Sequence, residues 1–401
     1  VIRLRFASIV LALVVTPLAA REALAMPAFA RRYGISCVQC HHPFPRVRAY
    51  GEMFAGHGFR LAPGEDPADT VRTEDELLSL QRAVPLAVSA DAQLQVFGGD
   101  AAAADFQTPW VLKLISSAPL TRDLSYYFYF LLDERGETAG VEDAFVHWND
   151  LGGAPVDLAV GQFQVSDPLF KRELRLMFED YVVYRAHVGD QEIDLTYDRG
   201  IMLMADAAGF TFTLELVNGS GLGPAGPNRR LDDNGWKNVF GHVTRDLVPR
   251  HARLGALGYV GRTDGDGPSG GRVRSETWMA GADATLTAGP LDVNLQYVHR
   301  EDRWPTFTPG EADAITRGGF AEVLWTPEPS RFYGFGLYNR VECDRPLLDP
   351  RAGGPAGVAR YHAVAAGVGH LLARNARVQV EAGYDLEADA GRATLGLILA
   401  Y

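Results

Sequence analysis

The chain has 401 residues, and its 50 acidic against 38 basic side chains give a formal net charge of −12. That balance excludes nucleic acid as a partner, which would need clustered lysine and arginine, and leaves a metal or cationic partner easier to reconcile. Only three cysteines occur, too few for a disulfide framework in an oxidising compartment.

The chain opens VIRLRF, with two arginines, and continues in an apolar or small run over residues 7–20 that Arg21 and Glu22 interrupt. A spanning helix needs roughly 20 apolar residues, so this shorter run reads as the h-region of a secretory signal. Ala23-Leu24-Ala25 supplies the small-x-small pattern of a cleavage site. Residues 1–25 are expected to be a signal peptide cut after Ala25; an uncleaved anchor would export the rest equally. No later stretch reaches the apolar length of a spanning helix.

Residues 26–84 form a short segment, expected to be mainly helical, with a linker. Its core is Cys37-Val38-Gln39-Cys40-His41. This is the attachment pattern of c-type haem: two thiols add across the vinyl groups, and the histidine next in the chain becomes the proximal iron ligand. A zinc half-site would want a second Cys/His pair, which the distant Cys343 does not supply. A thioredoxin-like redox pair would want a βαβ context, and a simple disulfide is the remaining alternative. One haem c is therefore the expected cofactor. For the sixth iron ligand the first choice is His57, after a helical segment over residues 45–55 and between Gly56 and Gly58, and the second is Met53. His42 adjoins the proximal ligand and points away. A distant histidine such as His147, or an open position suited to peroxide or nitric oxide, stays in the field.

From residue 85 to 401 the pattern becomes alternation with period 2. Leu86, Val88, Ala90, Ala92, Leu94 and Val96 share one face and Ser89, Asp91, Gln93 and Gln95 the other. Trp278 to Leu286, Leu291 to Tyr297, Val378 to Leu386 and Leu395 to Tyr401 repeat the design. Charge on one face and apolar residues on the other suit a membrane barrel with lipid outside and water within, more than a β-sandwich with a dry core. The predicted fold is thus all-β: a transmembrane antiparallel barrel of about 16 strands, with 14 or 18 possible. Short turns are expected at 288–290, 326–330 and 373–376, and long loops at 218–234, 263–274, 301–312 and 342–357. Trp110, Tyr126, Tyr127, Tyr129 and Trp148 are expected in interfacial girdles. The soluble sandwich is the competing fold.

The signal, one CxxCH, a short linker and a porin-sized barrel ending in an aromatic strand together resemble the fused outer-membrane monohaem cytochrome-porins, including the iron-oxidising ones. In motif detail the likeness is confined to Cys37, Cys40 and His41. It implies electron transfer from an extracellular donor, such as ferrous iron, through the haem to periplasmic carriers of the c-type cytochrome kind. The location it implies is the bacterial outer membrane, with the haem segment in the periplasm or the barrel lumen.

Residues 161–181, GQFQVSDPLFKRELRLMFEDY, are a candidate inward loop, with Lys171, Arg172 and Arg175 available to the haem propionates. Two other functions stay open. In a transport porin the haem would be a structural or sensory plug and Asp91, Asp283 and Glu381 would select cations; a haem enzyme would act on peroxide or nitric oxide. The loop carboxylates Glu301, Asp302, Glu311, Asp313, Glu342 and Asp344 could collect ferrous ions or simply be solvated.

Overall fold

The computed structural model describes residues 28–401 apart from 42–46, 66, 68–69, 72, 76–77, 79, 83–84, 99–102, 139, 167–177, 227, 233 and 353–354. The expected signal peptide, His42, and the loop cations Lys171, Arg172 and Arg175 lie outside the described residues.

Sixteen strands close into one antiparallel barrel. In chain order they are β1 Leu86–Phe97, β2 Ala103–Pro119, β3 Leu124–Glu134, β4 Gly140–Trp148, β5 Val156–Gln164, β6 Tyr197–Ala207, β7 Phe210–Val217 and β8 Asn238–Val248. The second half is β9 Ala252–Asp266, β10 Arg272–Ala288, β11 Leu291–Arg303, β12 Ala314–Trp325, β13 Phe332–Cys343, β14 Arg360–Ala373, β15 Ala376–Asp385 and β16 Ala390–Ala400. Each pairs with the next, and β16 closes on β1 from Arg392↔Phe97 to Ala400↔Ser89. Closure leaves no unpaired strand edge, the condition hydrocarbon imposes on a sheet, and the sandwich alternative falls with it.

The alternation sorts as expected. Leu86, Val96, Trp278, Leu295, Tyr297, Leu397 and Leu399 face outward and exposed, while Gln93, Gln95, Asp283, Asn294, Gln296, Gln379 and Glu381 are buried inside. An apolar outside around a polar inside suits lipid as the solvent. The girdle expectation needs correction. Trp148 is outside, joined by Trp278, Trp325, Phe332, Tyr338 and Tyr384, but Trp110, Tyr127 and Tyr129 are buried within the barrel. The β3 sequence LSYYFYFLLDE has aromatics in both phases, so alternation alone could not say which set faced lipid.

The connections alternate in length. At the mouth where β1 begins and β16 ends they are short: 120–123, 149–155, 208–209, 249–251, 289–290, 326–331 and 374–375. Three are two residues long, and one of them, Ala208-Gly209, places both residues at positive φ, the twist-matched geometry of a two-residue hairpin. At the opposite, far mouth lie the long connections 165–196, 218–237, 304–313 and 344–359, whereas the loop expected at 263–274 shrinks to 267–271 because β9 and β10 stay paired out to Asp266↔Arg272.

Among the described residues three short helices precede the barrel: α1 Ala28–Tyr33, α2 Cys37–Cys40 and α3 Ala49–Gly56. They pack into the near mouth. Phe29 stacks on Phe59 at 5.5 Å, Phe59 on Tyr127 at 5.2 Å and Tyr127 on Phe145 at 5.4 Å. This file of rings runs from the helices to the inner wall. Arg60 anchors the same segment: its guanidinium donates to the Asn149 side chain and to the Thr121 and Leu124 carbonyls on the turn between β2 and β3.

Candidate functional site

Cys37 and Cys40 occupy one helical turn, and the His41 N–H caps it by donating to the Cys37 carbonyl at 2.9 Å. Helix α3 crosses this turn so closely that a Cβ on Gly51 would lie 2.4 Å from the Cys40 carbonyl oxygen and 2.5 Å from the Val47 side chain. Gly51 is therefore required by contact. The Arg48 N–H donates to the same Cys40 carbonyl at 2.8 Å, so the motif is held between its own turn and α3.

Cys37 and Cys40 are free thiols. Burial raises the proton affinity of both, and pushes that of Cys40 up to about 11, so neither is an activated thiolate of the redox-pair kind. With His41 they line a cavity of about 190 Å³ whose other walls include Phe29, Phe54 and Phe59 from the helices and Ser89, Tyr127 and Tyr129 from the barrel. A second cavity of about 90 Å³ meets it at Cys37, His41 and Arg374. No three His, Cys, Asp or Glu side chains among the described residues form a ready metal cage.

His57, Met53 and His147 are brought together elsewhere. They line a lumen cavity of about 450 Å³ between α3 and the inner faces of β4 to β9, with Met202, Met204 and His242. His57 is the C-cap of α3, and burial holds its imidazole below its ordinary proton affinity against the opposing pull of Asp157 and Asp150. His147 sits 3.6 Å from Asp157. The structure thus gathers the first three candidates on one side of α3 and His41 on another.

The inward loop is real but shifted in sequence. Gly161 to Gln164 belong to β5, whereas residues 178–196 enter the lumen from the far mouth. The Phe178 N–H donates to Glu381 at 3.0 Å, and Glu179 binds Tyr361 and Arg392. Asp180 takes Arg135 and Arg185, both at 2.8 Å, and its carbonyl accepts from Asn339. Tyr181 donates to Glu322, and helix α4, Val182–Arg185, places Tyr184 on Gln296. Arg300 closes the crossing by donating to the Ala186 and Ile193 carbonyls. Sequence reasoning missed this anchorage. The signal was the apolar group Tyr181-Val182-Val183-Tyr184 inside a long connection.

Several acids read as free in sequence are engaged. Asp283 faces His242 at 2.9 Å, and Glu381 also lies 3.5 Å from Arg392. Among the loop acids Asp302 is buried against Arg300, Glu311 holds Thr306 and Arg345, Glu342 pairs with Arg340, and Asp344 caps the Ile315 N–H. These four of the six loop carboxylates are thus engaged within the protein, and Asp313 is exposed.

No family model matches the sequence, and no curated protein does. Solved structures share its architecture. An anion-selective porin from Comamonas acidovorans aligns with a TM-score of 0.55 at 13% identity, over 80% of this chain and 99% of that one. OmpF of Salmonella typhi, solved with daunomycin, gives 0.54 at 11%, over 79% and 97%. OmpT of Vibrio cholerae gives 0.53 at 12%, over 80% and 99%. Identities this low establish a shared fold: the chain is a sixteen-stranded barrel of the outer-membrane porin type.

Proposed function

We propose that this chain is an electron conduit of the bacterial outer membrane, joining an extracellular reduced donor, ferrous iron among them, to periplasmic carriers of the c-type cytochrome kind. Cys37 and Cys40 would hold one haem covalently and His41 would ligate its iron. Bound there, the group supplies a reversible one-electron couple. The observation that carries the reading is the position of Cys37, Cys40 and His41 on the wall of an apolar cavity inside the barrel mouth. A simple diffusion pore has no need of a thiol pair and imidazole at that point.

The fit of the donor set is chemical: two protonated, unpaired thiols one turn apart, and a histidine next in the chain. The 190 Å³ cavity is below the roughly 300–1,000 Å³ of preformed ligand pockets, and the 90 Å³ cavity beside it shares Cys37 and His41 as walls. The chain's own part is insulation. Hydrocarbon roughly 30 Å thick separates the two aqueous sides, the helices α1 to α3 fill the near mouth, and residues 178–196 cross the lumen.

The porin fold and the 450 Å³ lumen cavity favour a second reading, solute passage with a structural haem plug. The deciding experiment is an optical spectrum of protein purified from a host that matures c-type cytochromes, oxidised and then offered ferrous iron, alongside planar-bilayer conductance. A covalent low-spin haem reduced by ferrous iron, with little ion current, supports the conduit. Steady current with a redox-inert haem supports passage, carbon monoxide binding to a high-spin haem points to an enzyme, and absence of covalent haem overturns the cofactor reading.

A further inference from the structure

The protein is strongly acidic, yet the wall beside Cys37 and His41 is not. Arg48, Arg374 and Arg377 all line the smaller cavity there, and the lone carboxylate among its described lining residues is Glu328. Glu328 is largely exposed and pairs with Arg48 at 2.9 Å. Arg377 is buried on the inner face of β15. Arg374, on the turn between β14 and β15, lines both cavities and lies near enough to Cys37 to oppose the effect of burial on its thiol. Positive charge concentrated beside one small cavity favours an anion seated there. A planar fork of N–H donors suits a carboxylate.

We propose that Arg48, Arg374 and Arg377 form the carboxylate-binding side of the Cys37–His41 pocket and receive the propionates of the haem assigned there. This rests on the haem reading and fixes which way the group faces: propionates toward the turns of β12–β13 and β14–β15, apolar edge toward Phe29, Phe54 and Phe59.

The test compares wild type with Arg48→Gln, Arg374→Gln, their double variant and Arg374→Lys. Covalent haem is measured by intact mass, midpoint potential by spectroelectrochemistry, and barrel folding by heat-modifiable gel mobility. Arg374 is in an exposed turn, so its variants keep the barrel even if others do not. With propionate charge uncompensated the ferric state gains, so the Gln variants should keep covalent haem but show a lower potential, and Arg374→Lys should recover most of it. The expected shift for the double variant is about tenfold in the one-electron equilibrium constant, ~59 mV. An unchanged potential in a fully haem-loaded double variant overturns the inference alone. So does a change confined to anion selectivity in bilayers, which would give the arginines to a permeating carboxylate. Wild type without covalent haem would instead sink the reading beneath it.

Discussion

Replacing Arg60 with Ala should release the N-terminal segment from the barrel mouth while leaving the barrel closed. The side chain is 1% exposed, and of its four hydrogen bonds three run to other elements: Asn149 Oδ1 at 3.1 Å, the Thr121 carbonyl at 2.6 Å and the Leu124 carbonyl at 3.0 Å. The fourth, to the His57 carbonyl at 3.2 Å, holds the end of α3. Burial lowers the proton affinity of the guanidinium from a very high starting point, and it stays charged. Hydrogen bonds to a charged group are worth about 1.5–3 kcal/mol each. Water can reach the turn carbonyls once the side chain is gone, so the docking free energy should fall by about 3–5 kcal/mol, or roughly two to three and a half decades in the docking constant. Amide hydrogen exchange in detergent reads this directly. Protection of residues 49–59 should drop by at least about a hundredfold, while β10 and β11 keep theirs. Equal protection in both proteins would refute the claim that Arg60 helps to fix the plug and would leave that role to the ring file from Phe29 to Phe145.

Gly51→Ala should lose most covalent haem, because the added Cβ meets backbone at Cys40 rather than a movable side chain; haem staining at wild-type level would count against that packing. In protein made without haem, alkylation of Cys40 should be slow at neutral pH and climb toward pH 11. The folded thiol holds its proton more tightly than an unfolded one near 8.5, so packing that depends on the neutral thiol is intact below that value and weakens as pH rises through the folded one. A rate equal to that of the urea-unfolded chain would contradict this. Tyr181→Phe combined with Glu322→Gln removes a buried contact of the lumen crossing and should cost about 1–3 kcal/mol of its anchorage. The sign to look for is more frequent open-state conductance at unchanged barrel thermal stability.

Period-2 alternation carried the barrel legibly, because lipid outside and polar groups inside impose opposite chemistry on successive residues. Leu291 to Tyr297, facing Asp292, Asn294 and Gln296, could hardly be read another way. It failed where both faces of a strand were apolar. Tyr127 faces inward onto Phe59 of the plug, and Tyr129 lies inside under Lys113 of the neighbouring β2, partners no local pattern records. The same limit applied to residues 178–196. Tyr181, Tyr184 and Asp180 find their places through Glu322, Gln296, Asn339 and Arg135, between 45 and 159 residues away in sequence. The motif at Cys37 to His41 was legible as chemistry, but which walls enclosed it was not, since Arg374 and Tyr129 arrive from opposite ends of the chain.

The two obstructions in the lumen differ in kind, and that difference bears on what the barrel does. The near plug rests on aromatic stacking and one buried guanidinium, contacts that hold firmly in water and salt alike. The far crossing rests on charged pairs and tyrosine–carboxylate bonds, several of them fully enclosed. Breaking one member of an enclosed pair is far costlier than losing an exposed one, so neither obstruction behaves as a loosely hinged flap. A barrel built to pass solutes gains from a lumen narrowed at one level; here the lumen is narrowed at two, with the CxxCH turn in the wall of the first. The 450 Å³ cavity left between α3 and β4 to β9 is lined by three imidazoles and three thioethers together with Glu52, Asp150, Asp157, Asp206, Glu215 and Arg253. Those carboxylates suit a cation in transit as well as they suit the wall of a sleeve around the proposed haem, and conductance measured beside the haem spectrum sets those two demands against each other in one preparation.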